Sequence, residues 1–180
     1  MDRRIVLAES ILSCPILTGR YLAGFDDTNH TSQAPGLPNH VAWSLGHCAL
    51  TMHRAIARLA DAKTAPGQGP LPAGAFITSG SPRARGGFLA ESVAFGSVPA
   101  ADSEAYPAFS RCVEIYEGSC RLAAEACRSA SDEQLDAPTR WGQGEIPVWG
   151  LMMRMVFHNG AHTGQIADLR RGLGLRSIFS

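Results

Sequence analysis

Residues 148–173 read VWGLMMRMVFHNGAHTGQIADLRRGL. Taken at alternating steps of three and four, the row is Val148, Leu151, Met155, His158, His162, Ile166, Leu169 and Leu173. That spacing predicts one apolar stripe of a long amphipathic helix. Two histidines sit in the middle of the stripe, four residues apart. At about 100° per residue they stack one turn above the other, roughly 40° apart around the axis. Both imidazoles therefore face whatever the helix packs against. Each brings two ring nitrogens that need partners in a buried setting. A shared metal ion meets that demand, since neutral imidazole ligates zinc, nickel, copper and iron. Bonds to backbone or water meet it equally well. The residue after His158 is Asn159, where a metalloprotease helix would carry Glu. Two imidazoles hold an ion weakly, so a metal site needs a third ligand from another part of the chain.

Outward from this helix, the chain reads as more helices. The pattern over residues 3–23 is helical, with Ile5, Ala8, Leu12 and Ile16 at helical spacing, and Pro15 is expected to kink or shorten it. FDDTNHTSQAPGLPN, residues 25–39, is a loop of turn formers in which His30, with His40 just beyond it, is expected to be solvated. Asn39 suits the N-cap of a second helix reaching about residue 62, with a core stripe of Val41, Leu45, Cys48, Met52, Ile56 and Leu59. His47 lies opposite that stripe with Trp43 and Leu50. Because the first half of this helix is apolar nearly all round, it should be buried on more than one side. His53, among polar neighbours, should face solvent.

Residues 63–106 are too rich in glycine and proline for a long helix, apart from a turn within 88–95. So long a connection is expected to contribute to a functional rim. Gly67, Gly69, Gly86 and Gly87 fit no phosphate-binding loop. Arg83 and Arg85 read as solvated loop charges or contacts for an anionic ligand. A third long helix is expected over residues 107–130, on the stripe Phe109, Val113, Tyr116, Cys120, Ala123 and Cys127. Ser131 and Gln134 have the spacing of a capping box. Pro147 suits the start of the last helix, and Gly172 or Gly174 its end. No segment alternates cleanly, so no strand is expected. The pattern is all-α: a single domain over residues 1–180, a four-helix bundle with a long irregular connection between its second and third helices.

Composition narrows the function. The chain has 180 residues, 45% hydrophobic, with 16 basic and 16 acidic side chains and no long block of either sign. Nucleic acid and anionic membrane surfaces are poor partners for such a balance. The five cysteines, Cys14, Cys48, Cys112, Cys120 and Cys127, form no CxxC pair and read as small apolar fillers of helix faces. No run of about 20 apolar residues suggests a membrane helix, and Glu9 interrupts the segment that might pass for a signal peptide. A cytoplasmic protein is the expectation. Trp149, Met152 and Met153 lie partly off the inward stripe, where they would cover a homodimer interface or pack against the long loop.

Three segments together resemble the DinB-like superfamily, which includes bacillithiol- and mycothiol-dependent transferases. They are NHVAWSLGHCALTMHR at 39–54, FGSVPAADSEAYPAF through SDEQLDAP at 95–138, and FHNGAHTGQIADLRRGLG at 157–174. The resemblance implies a divalent metal, zinc or nickel foremost, held by His47, His158 and His162. Periodicity does not choose His47 over His40 or His53; the resemblance does. It also implies a small-molecule substrate, such as a low-molecular-weight thiol, and an enzyme of the thiol-transferase or hydrolase type. The alternative is a non-catalytic, stress-related metal-binding bundle. Gln165 stands where relatives with an iron site place Glu, which argues against iron-oxygenase chemistry. No general base is identifiable.

Overall fold

The computed structural model describes residues 2–60 and 74–178. Its long helices are α1 (Arg3–Leu22), α2 (Val41–Ala60), α4 (Phe109–Ser129) and α6 (Val148–Gly172). Two short helices, α3 (Pro82–Arg85) and α5 (Asp132–Asp136), lie in the connections. The chain is thus mostly helical, as expected. α1 and α2 both pack on α4, and both pack on α6, so each long helix has two neighbours and the four close a ring.

The ring buries the α2 stripe and most of the α4 and α6 stripes, but not the one expected for α1: Ile5 and Ile16 are 46% and 67% exposed, and Leu7, Ile11 and Cys14 face inward instead. Val148, Leu151, Met155, Ile166 and Leu169 of α6 are buried, as are Tyr116, Cys120, Ala123 and Cys127 of α4. All five cysteines are free and buried, filling the core as small apolar groups. Every residue from 41 to 50 of α2 is buried, so this half-helix is covered on more than one side. Burying a side chain of Leu or Met size stabilises by about 1.5–3 kcal/mol relative to exposure, so these stripes are the main force closing the ring.

Several details differ from the sequence reading. α1 runs without a break through Pro15. The hydrogen bond lost there is outweighed by packing on both sides, where Ile11, Cys14 and Thr18 face inward. α1 is also, by length and composition, apolar enough to cross a membrane, which the sequence reading did not expect of any segment. In the structure it is one of the four helices of the ring, packed on α4 and α6 with Leu7, Ala8 and Ile11 buried. Residues 138–147, expected to be irregular, form an antiparallel pair, β3 (Pro138–Trp141) and β4 (Gly144–Pro147). Its two-residue turn starts with Gly142 at φ 61°, a backbone angle that suits glycine. A second small pair joins β1 (Phe76–Ile77) and β2 (Phe88–Leu89) in parallel. The turn expected within 88–95 is a 3₁₀ turn at Ala90–Val93. Residues 61–73, the first part of the long connection, lie outside the described residues.

His30, His40 and His53 are all buried, against expectation. For His40 the reason is local. Its Nδ1 accepts the Trp43 backbone N–H at 3.1 Å, so His40, and not Asn39, caps α2. The Nε2–H then donates to the Ala100 carbonyl at 2.9 Å, and Tyr106 stands edge-on to the ring. The Tyr106 hydroxyl accepts the Ala100 N–H at 2.9 Å. One neutral imidazole thus starts a helix and ties residues 100–106 to it. His53 sits between α2 and α4, 3.3 Å from the Ser119 hydroxyl and edge-on to Phe76. His30 is enclosed where its loop folds back, its carbonyl accepting the Ala42 N–H. The capping box at Ser131 and Gln134 forms as expected.

Candidate metal centre

His47 comes from the buried half of α2 and His158 and His162 from the middle of α6. The three therefore meet where those two helices pack. One ring nitrogen from each lies within 4.8 Å of the others. The Nε2 atoms of His47 and His158 are 3.2 Å apart. Two ligands of one tetrahedral ion at about 2.05 Å stand about 3.3 Å apart, so this pair already has the spacing an ion requires. The rings sit 4.6–5.0 Å from one another, centre to centre, none stacked flat on its partner.

The surroundings orient His47. Its Nδ1–H donates to the Val93 carbonyl at 2.8 Å, which leaves the lone pair on Nε2, facing His158. Trp43 stacks flat on the ring at 4.6 Å. Val93 reaches the imidazole because the residue before His47 is a glycine, Gly46. A Cβ on Gly46 would lie 2.7 Å from the Phe88 ring and 2.9 Å from Val93. The glycine lets residues 88–93 seat directly on α2.

Burial keeps the imidazoles neutral. It is the largest cause of a lowered pKa in all three, which brings His158 to about 3 and His162 to about 4; His47 moves the same way. The neighbouring imidazoles add to the effect at His158 and His162. Neutral nitrogens are what a metal ligates. His158 Nδ1 and His162 Nδ1 are buried without a hydrogen-bond partner among the described residues. An ion in the His47–His158 gap would take the Nε2 lone pairs and leave His158 Nδ1 as it is, so the fit to a cation rests on the spacing and neutrality of the converging nitrogens. The donor set fits a divalent cation.

The cluster opens into a cavity of about 690 Å³. Trp43, Thr51, Arg54, Phe95 and Trp141 line it beside the three histidines. His162, 9% exposed, marks the deep end, whereas Phe95 and Val98, 92% and 87% exposed, mark the mouth. No described residue lining the cavity is acidic. Gln165 Oε1 accepts from Asn39 Nδ2 at 3.4 Å.

The structure thus brings together the three histidines that the resemblance selected and leaves His40 and His53 elsewhere. Arg83 is not available to a ligand in the way the sequence allowed, because it pairs with Asp27 at 3.0 Å. Arg85 donates to the Ser79 carbonyl. Arg54 and Trp141 were not singled out from the sequence. For Arg54 a signal existed: it follows His47 by seven residues, two turns along the same helix face. Trp141 reaches the cavity from the unforeseen β3.

These features define a class, helical proteins with a three-imidazole site fit for a divalent ion beside an open cavity. The chain belongs to the DinB superfamily, whose family model matches residues 17–166, a span that includes all three histidines. No curated protein and no solved structure matches the chain.

Proposed function

We propose that the protein is a metal-dependent enzyme of the thiol-transferase type, built on a DinB-type four-helix bundle whose long connection between α2 and α4 forms part of the pocket rim. His47, His158 and His162 are the ligands, and zinc or nickel is the ion. The observation that carries this reading is the convergence of three neutral ring nitrogens within 4.8 Å at the inner end of a cavity. A three-histidine site leaves coordination positions free for a small molecule, the arrangement of catalytic rather than structural ions. When bound, such an ion supplies Lewis acidity that favours the thiolate form of a thiol near neutral pH. The chain's own residues hold the imidazoles in register, through Val93 and Trp43, and shield them from bulk water.

The absence of a carboxylate among the described lining residues favours transferase over hydrolase. A hydrolase needs a base or acid to manage the proton of water and leaving group. A thiol attacking an electrophile requires chiefly that its own proton be lost. Met152, read from the sequence as part of this surface, is buried instead, and the exposed row Trp149, Met153 and Phe157 on α6 supports a homodimer. The testing experiment is elemental analysis of the purified protein, followed by assays that pair small thiols with electrophiles. One equivalent of zinc or nickel and thiol-dependent consumption of an electrophile are expected. A protein that holds no divalent metal when supplied with it does not fit the reading.

A further inference from the structure

The cavity beside the three histidines has an uneven charge. Arg54 is its one formally charged lining residue among those described, and no carboxylate pairs with it there. Its side chain is half-buried, so its cation is held partly away from water. It stands two helical turns, about 10 Å, along α2 from His47. With a divalent ion at the imidazoles, the cavity would hold three positive charges and no described negative one. Trp43, Trp141 and Phe95, the last almost fully exposed, make much of the remaining wall apolar, and its other polar members, Asn39, Thr51 and Ser97, are uncharged.

We propose that this cavity selects a small organic anion, with Arg54 binding its carboxylate and the Trp43, Trp141 and Phe95 walls covering an apolar body. The inference rests on the proposed metal site for its orientation. A guanidinium with no carboxylate partner among the described residues, beside a cationic centre, is a recognition element for carboxylate, because its planar fork makes two parallel charge-assisted hydrogen bonds. A neutral ligand would leave that charge uncompensated in a partly dry wall. An exposed Phe95 at the mouth gains most if the ligand covers it. The separation along α2 sets the kind of molecule: one end near the imidazoles, the carboxylate several ångströms away, a flat or aliphatic segment between. The carboxylate could belong to the thiol or to the molecule it attacks, and the shared chemistry is the same.

The experiment titrates the protein with four probes in two pairs, each a carboxylate and its neutral counterpart: 3-mercaptopropionate with 1-propanethiol, and 3-phenylpropionate with 3-phenylpropanamide. Tryptophan fluorescence reads binding, since Trp43 and Trp141 line the cavity. Each probe is measured on the zinc-loaded and the metal-free protein, in wild type, Arg54→Gln and Arg54→Lys. Bound zinc is quantified in every sample. We expect at least one carboxylate probe to bind about 10- to 100-fold more tightly than its neutral counterpart, an advantage lost in Arg54→Gln and partly kept in Arg54→Lys. The thiol pair or the phenyl pair showing the advantage identifies which reactant carries the carboxylate. A carboxylate preference that is absent, or that survives Arg54→Gln, overturns the proposal. Zinc content separates the two readings. If wild type binds no zinc while 3-phenylpropionate still requires Arg54 on the metal-free protein, the metal assignment fails and the anion site stands.

Discussion

His47 and His158 are 111 residues apart in the chain, yet their Nε2 atoms lie 3.2 Å from each other. That distance is a hydrogen bond only if one nitrogen carries a proton. The Val93 carbonyl, by taking the His47 Nδ1–H, directs the His47 lone pair into the gap. Replacing His158 or His162 with Ala is therefore expected to remove most bound metal, leaving at most two ligands. His53→Ala should keep a full equivalent, since His53 lies between α2 and α4 beside Ser119. Elemental analysis of the dialysed variants checks this. A His158→Ala protein that retains one tightly held equivalent refutes the ligand set.

Gly46→Ala tests the support behind His47. Alanine has the better helix propensity, by about 1 kcal/mol. Against it, the new methyl would stand 2.7 Å from a Phe88 ring that is wholly buried and has nowhere to swing. Overpacking of this kind costs about 1–3 kcal/mol, so strain should win and the melting temperature fall. Displacing Val93 also frees the His47 ring, and metal affinity should drop about 10- to 100-fold. A chelator-competition titration reads the second effect. An unchanged affinity would mean that the Val93 carbonyl does not orient His47.

Removing the ion should not unfold the protein. The buried stripes of α1, α2, α4 and α6 form one continuous apolar core, well beyond what a metal-dependent finger possesses. Chelation at neutral pH is expected to lower the melting temperature by mass action alone and to leave the helical circular dichroism in place. Collapse of that signal on chelation would show that the ion holds the ring together.

The metal-free protein should lose stability in mild acid. Burial lowers His40 and His53 from the usual 6.5 to about 4. Below pH 6.5 the unfolded chain takes up protons that the folded one refuses, so unfolding becomes easier as pH falls. The loss begins near pH 6.5 and is complete once pH has passed below about 4. It amounts to roughly 3 kcal/mol for each group, from about 1.4 kcal/mol per pH unit. Urea midpoints measured from pH 7.5 to 4 in the presence of chelator check the sign. A midpoint that is flat across this window would mean that these imidazoles are not held neutral.

The sequence carried the helices more clearly than the histidines. Val148 to Leu169 announces its inward face because apolar side chains recur with the helical period, and the structure buries that face. His47 did not announce itself, since it lies away from the Val41–Leu59 stripe; the hint was Trp43 and Leu50 on the same side, apolar where solvent would call for polar groups. His40 was read as solvated from its place at the end of a turn-rich loop, and His53 from its polar neighbours. What buries them is nonlocal: the Ala100 carbonyl and Tyr106 for one, α4 and Phe76 for the other. The β3–β4 pair was missed because its four-residue strands are too short to establish alternation, although a glycine at the start of a two-residue turn was there to be seen.

The wide sequence separation of the three imidazoles also bears on biosynthesis. α2 and residues 88–93 leave the ribosome well before α6, so His47 and its Val93 partner exist for a time with neither His158 nor His162 yet made. Only when residue 162 has emerged and α6 has docked against α1 and α2 do three nitrogens converge. The full three-nitrogen site is therefore a late product of synthesis, complete only with the last long helix in place.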